Sequence, residues 1–249
     1  MAHPSGRVVL TYALVLIVGI IAGLVSGVVG TGATVILLPV LVFAFGPLEA
    51  VPTMAIIALM SNFAKITSWW KDIDWRATAA YALGGIPGAA LGAHTLLNLP
   101  PSVIDLALGA FFLVMIPGRR WLAARNYRIG AAALVPAGLA IGFLTGIVVS
   151  TGPLSVPLFS AYGLMKGAFI ATEAAGSLAL YISKAATFRT LGALPTDIIL
   201  KGLITGSAVM AGTYAARLLL ERLHIATFQR LLDGVMLVSG ATLIWEAVR

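Results

Sequence analysis

The chain has 249 residues, 60% of them apolar and only 10% charged, against about 45–50% and about 25% in soluble domains. With a mean hydropathy of +1.02, too few charges remain to coat a soluble surface, and disorder, collagen and coiled coil are excluded as well, so the composition is that of an integral membrane protein. The net charge of +7 comes from 16 Lys+Arg against 9 Asp+Glu, an excess ordinary for membrane loops and far from the dense basic face of a nucleic-acid binder.

A helix crossing about 30 Å of hydrocarbon needs about 20 apolar residues. That ruler predicts segments at 8–29, 33–45, 50–70, 77–98 and 102–118, then a polar connector at 119–128 carrying Arg119, Arg120, Arg125 and Arg128. Further segments follow at 129–149, 153–163, 167–188, 197–221 and 226–247. Only Arg7 precedes the first run and no small-residue cleavage site follows it, so the run reads as a retained span. The second segment of each half is too short to span comfortably, and each directly follows a polar break: Gly30-Thr31-Gly32 in one half, Ser150-Thr151-Gly152 in the other.

This parallel extends along the chain. Gly19, Gly23 and Gly27 form a GxxxGxxxG ladder that recurs 119 residues later as Gly138, Gly142 and Gly146, and Thr53/Thr172 and Lys65/Lys184 keep the same offset. Pro39/Pro157 and Gly46/Gly163 follow at 118 and 117, and Gly88/Gly212 and Leu99/Leu223 at 124. Chance could produce one ladder between two glycine-rich helices, but hardly a ladder and a buried lysine in one register. The expected fold is therefore all-α: a polytopic transmembrane bundle of two homologous, inverted repeats with Gly-broken helices. Its parts are an N-terminal membrane repeat (1–118), a cytoplasmic connector (119–128) and a C-terminal membrane repeat (129–249). Whether each broken pair makes one crossing or returns, basic residues divide ten against four in favour of the connector's side.

Glycines at i, i+4 and i+8 let helices approach closely in lipid, and Gly84, Gly88 and Gly92 add a third such face. The breaks carry more. Helices starting near Ala33 and Pro153 would present free amides and a positive dipole end, so Gly30, Thr31, Gly32, Ser150, Thr151 and Gly152 form a candidate anion cradle. The competing explanation is a tight extramembrane turn. Paired interrupted segments in matching positions favour a transporter site. Lys65 and Lys184 are costly at bilayer depth, at least about 2.5–3.5 kcal/mol each. Each lies near a helix end and could snorkel, yet equivalent positions in a repeat favour function. Ser61 and Asn62 share the Lys65 face, and Tyr181 stands to Lys184 as Asn62 stands to Lys65.

Glu173 is the one carboxylate well inside an apolar stretch; it follows Thr172 and precedes Lys184 by eleven residues, about 16 Å along a helix. It reads either as a proton-coupling carboxylate or as an interfacial residue near a helix start. Its first-half counterpart is Met54, so any coupling is asymmetric. Asp72, Asp74, Arg76, Asp197, Lys201, Glu221 and Arg222 read as loop or helix-end charges, and His94 and His224 as interfacial. With no cysteine and no HExxH, CxxC, Walker loop or nucleophile–base pair, neither a metal, a cofactor nor an enzyme is expected.

The stretch from Gly23 through Gly30-Thr31-Gly32 to Pro39 resembles the first glycine motif of the TauE/SafE sulfite exporter family. Gly142–Gly146 followed by Gly152-Pro153 to Pro157 resembles its second copy, and the Asp72–Arg76 loop and the Gly46, Ala50, Thr53 pattern also fit. Ala33 and Thr34 stand where the family has glycines, and Val149-Ser150-Thr151 replaces a glycine-rich run. The resemblance covers essentially the whole chain and implies secondary transport of small anions: sulfite, sulfonates or sulfur-containing carboxylates. The expected protein is a multi-pass transporter of the bacterial inner membrane working by alternating access. It would hold its anion with helix N-termini and the two lysines, among membrane lipid, with a homodimer admitted. A membrane scaffold without flux and an uncoupled anion channel are the alternatives.

Overall fold

Every amide and carbonyl inside a bilayer must find its partner within the protein, and a helix meets that demand within one segment. The computed structural model describes residues 4–29, 33–100, 128–148, 152–164 and 166–219, with scattered positions between 102 and 118 and residues 237, 241, 244 and 245. Among the described residues there are eight α-helices and no strand. They are α1 (Pro4–Val29), α2 (Ala33–Phe45), α3 (Pro47–Trp69), α4 (Trp75–Leu97), α5 (Ala131–Val148), α6 (Gly152–Tyr162), α7 (Lys166–Thr190) and α8 (Thr196–Leu219), with a 3-10 turn at Trp70–Asp72. Helix ends fall within four residues of the predicted ones. The run predicted at 102–118 is helical at its described positions. Most of 226–247, the connector residues 119–127 and both predicted breaks, 30–32 and 149–151, lie outside the described residues.

The local stops and starts have plain causes. Gly46 adopts φ 78° and Gly163 φ 107°, a left-handed region that glycine enters without penalty, and these matched glycines set the turns leading into α3 and α7. Asp74 begins α4 by accepting the amides of Arg76 and Ala77 at 3.0 Å each. The 13 residues of α2 and 11 of α6 give helices of about 20 and 16 Å, short of a bilayer core. Windows in α1 (Leu10–Gly27), α3 (Leu48–Asp72) and α8 (Thr196–Ala216) are long and apolar enough to cross it.

Packing follows the small residues. Helix α1 lies on α8, where a Cβ at Gly27 would stand 2.6 Å from the Ala216 Cβ and one at Gly23 would strike the Val209 backbone. Helix α4 lies on α5 in the same manner: Gly84, Gly88 and Gly92 abut the backbone at Val135, Leu139 and Phe143. Each seam thus joins a helix before the connector to one after it. Helix α3 packs on α8 and α7 on α4, α2 fills between α1 and α3, and α6 sits between α5 and α7. Exchanging α1–α4 for α5–α8 carries each of these pairings onto another of them. At the centre, α3 and α7 pack on each other. The Trp69 end of α3 lies against Gly167 at the start of α7, so the two run in opposite directions.

Candidate functional site

The central pair α3 and α7 carries most of the polar side chains buried in this bundle. Ser61, Asn62 and Lys65 share one turn of α3 and are all buried, as the i, i+3, i+4 spacing predicts. Tyr181 and Lys184 occupy the matching turn of α7, also buried. Lys65 is 5% exposed and Lys184 fully enclosed, so neither ammonium reaches outward as snorkelling requires.

The two lysines have different surroundings. The Lys184 Nζ donates to the Thr145 carbonyl at 2.6 Å and lies 5.3 Å from the Phe188 ring centroid. Thr145 stands in the last described turn of α5, so Lys184 ties α7 to that part of α5. Lys65 instead lies within electrostatic range of Glu173.

Glu173 is 4% exposed, so its carboxylate is enclosed by protein. Its Oε1 accepts the Ser177 hydroxyl at 2.8 Å and the Ser155 hydroxyl at 3.1 Å. Its Oε2 is buried without a hydrogen-bond partner among the described residues. The carboxylate also lies within electrostatic range of Tyr81 on α4 and Tyr181 on its own helix. Tyr181 is in turn hydrogen-bonded to Thr34, the second residue of α2. Next to Glu173, the Thr172 hydroxyl accepts the Asp74 amide at 2.9 Å and so ties α7 to the start of α4.

Glu173, Lys65 and Tyr181 thus form one neighbourhood, with Asn62 on the Lys65 face, while Lys184 stands at the end of α5. Gly152 is the first residue of α6; Gly30, Thr31, Gly32, Ser150 and Thr151 lie outside the described residues. Sequence reasoning missed Ser155, Ser177 and Tyr81 and noted Thr34 only as a departure from the family's glycines. Of the three missed, Ser177, four residues after Glu173, had a signal, since i and i+4 share a helix face. Lys201 is also more than a helix-end charge: its Nζ lies 2.8 Å from Glu49 Oε2 and 5.0 Å from the Phe45 ring centroid, joining α8 to the start of α3.

A bundle with a buried lysine–carboxylate neighbourhood suits passage of a charged solute, and comparison with known proteins agrees. The family model described as "Sulfite exporter TauE/SafE" matches residues 15–243. The chain is 26% identical over 204 residues to the "Probable sulfite/organosulfonate exporter TauE" of Cupriavidus necator (strain H16), an alignment covering 78% of each. No solved structure matches. With the model spanning all but the ends of the chain, this integral membrane protein belongs to the TauE/SafE sulfite exporter family, a family of transporters and not of enzymes.

Proposed function

We propose that the chain is a secondary transporter of a small anion, sulfite or an organosulfonate or sulfur-containing carboxylate, that works by alternating access. The observation that carries this reading is the burial of Lys65 and Lys184 on the central helices α3 and α7 of a membrane bundle. Buried cations are expensive there, and a transported anion offsets part of that cost each time it binds. The relative from Cupriavidus necator, named for sulfite and organosulfonates, supports the substrate class.

In this reading the halves, 1–118 and 129–249, are inverted repeats joined by a cytoplasmic connector at 119–128. The opposed directions of α3 and α7 and the exchange of helix pairings support it. The anion sits between the lysines near the pseudo-symmetry axis. Asn62 and Tyr181 flank it, and the N-termini of α2 and α6, with Gly30, Thr31, Gly32, Ser150, Thr151 and Gly152, close over it. Each half gates one side, and Glu173 couples transport to protons.

The test is flux in proteoliposomes of the bacterial plasma-membrane lipid composition. Lys65→Ala or Lys184→Ala should abolish sulfite flux while the protein still purifies as a folded species. Unchanged flux in either variant removes that lysine from the site. Flux that no imposed pH gradient can drive uphill identifies an uncoupled channel.

A further inference from the structure

We propose that Glu173 is a tethered counter-anion of the transport site: its carboxylate holds Lys65 until a substrate anion replaces it there, and it yields by taking a proton on Oε2. The inference rests on the anion-transport reading and adds to it a competition and a stoichiometry, about one proton for each monovalent anion.

The geometry of the carboxylate is the first support. One oxygen is saturated by two hydroxyls, from Ser155 and Ser177, and the other, equally buried, has no described partner. The bare oxygen is where a proton can be added without breaking either hydroxyl bond.

A second support comes from the other half. The offsets that match the halves put Met54 where Glu173 stands, Leu37 where Ser155 stands and Ala58 where Ser177 stands. All three are buried and apolar. The same place in the bundle can therefore be filled by hydrocarbon, and exchanging a buried charge for well-packed apolar groups is often neutral or stabilising. Packing does not require the Glu173–Ser155–Ser177 unit. Carboxylate and both hydroxyls occur together in one half and are replaced together in the other, as a working unit would be.

Charge balance is the third. An ammonium at Lys65 and a carboxylate at Glu173 are neutral together. An anion arriving alone would leave one uncompensated buried charge, which is costly. Arriving with a proton it leaves the site neutral: an O–H bond forms at Glu173 Oε2, the proton comes from bulk solvent on the open side, and the Lys65 ammonium is the counter-charge of the anion. The other groups facing Glu173 are Tyr81 from α4, Tyr181 from α7 and the hydroxyl of Ser155 from α6. Asp74 is held by the amides of Arg76 and Ala77, and Asp72 lies against Gly167 at the start of α7.

The experiment titrates the purified full-length protein in nanodiscs with methanesulfonate, which stays a monoanion and brings no proton of its own. Calorimetry in buffers of different ionisation enthalpy counts protons taken up per anion bound. The wild type should take up about one, with affinity falling up to about tenfold per pH unit as pH rises. Glu173→Gln should bind with no uptake and with pH-independent affinity. If that variant does not fold, the triple variant Glu173→Met, Ser155→Leu and Ser177→Ala, which copies the other half, should do the same. Proton uptake that survives either replacement, or wild-type binding without uptake, overturns the competition and leaves the anion site standing. No binding of methanesulfonate to the wild type at any pH overturns the anion site itself, and this inference with it.

Discussion

The two sets of described helices, α1–α4 and α5–α8, agree in their seams and differ in their interiors. Each contributes a glycine ladder, a short second helix, a left-handed glycine before its third helix and a buried lysine near that helix's end. Among the described residues, the second half adds a buried carboxylate with two hydroxyls beneath it, where the first has Met54, Leu37 and Ala58. The agreement lies where backbones touch and every added atom costs contact. The difference lies where side chains meet and chemistry can change without moving a helix. Shape and the buried lysine are held in common; the carboxylate with its hydroxyls is not.

The largest expected effect is on the shared part. A Cβ at Gly88 would collide with the Leu139 backbone and stand 2.9 Å from the Phe143 amide, so Gly88→Leu must push α4 off α5. Overpacking in a well-packed core costs about 1–3 kcal/mol and occasionally more, and a clash with backbone belongs at or beyond the upper end. The matched Gly212→Leu, which drives α8 off α1, should lose as much. Gly118→Leu, where nothing lies within 4 Å, should stay within about 0.5 kcal/mol of wild type. Unfolding in mixed micelles measures all three. A large loss at Gly88 with none at Gly212 would break the correspondence of the seams.

Of comparable size is a transplant that sharpens the contrast. Met54→Glu places a carboxylate among Leu37 and Ala58, which offer no hydroxyl. Leaving a buried charge without its partners costs about 3–5 kcal/mol, so the variant should be among the least stable of single substitutions. Adding Leu37→Ser and Ala58→Ser should recover part of the loss, because it rebuilds the hydroxyl pair that Glu173 has. Full stability of Met54→Glu alone would show that the hydroxyls are not what makes the second half hospitable to charge.

Much of the shared part was legible in the sequence. The ladders at Gly19, Gly23, Gly27 and Gly138, Gly142, Gly146 announce faces of close approach, and the brevity of α2 and α6 follows from counting apolar residues. Spacing cannot say which helix answers each ladder, and the answer here lies across the connector: α8 for α1, α4 for α5. The lysine pair was legible because it obeys the repeat. The Glu173 neighbourhood was only half legible, because Ser155 lies 18 residues away on another helix and Tyr81 on a third. Polar contacts between helices follow from packing angles, which apolar periodicity does not encode.

The smallest expected effect concerns Lys201, whose charge reads from the sequence as a helix-end feature. Its ammonium meets Glu49 at 2.8 Å and Asp197 at 3.9 Å, with side chains 22%, 44% and 65% exposed. Exposed pairs of this kind are worth about 0.2–1 kcal/mol. Lys201→Met should therefore cost less than about 1 kcal/mol, part of it from the lost contact with the Phe45 ring. The halves differ here too: at the other end, α7 meets the start of α4 through the neutral Thr172 hydroxyl and the Asp74 amide. If α3 and α8 must part at this end for the site to open, Lys201→Met should raise the transport rate in proteoliposomes while barely moving stability. Unchanged flux would make the pair a fastening of the resting structure alone. A fall in both flux and stability would instead mean that the ammonium, like that of Lys184, ties two helices together.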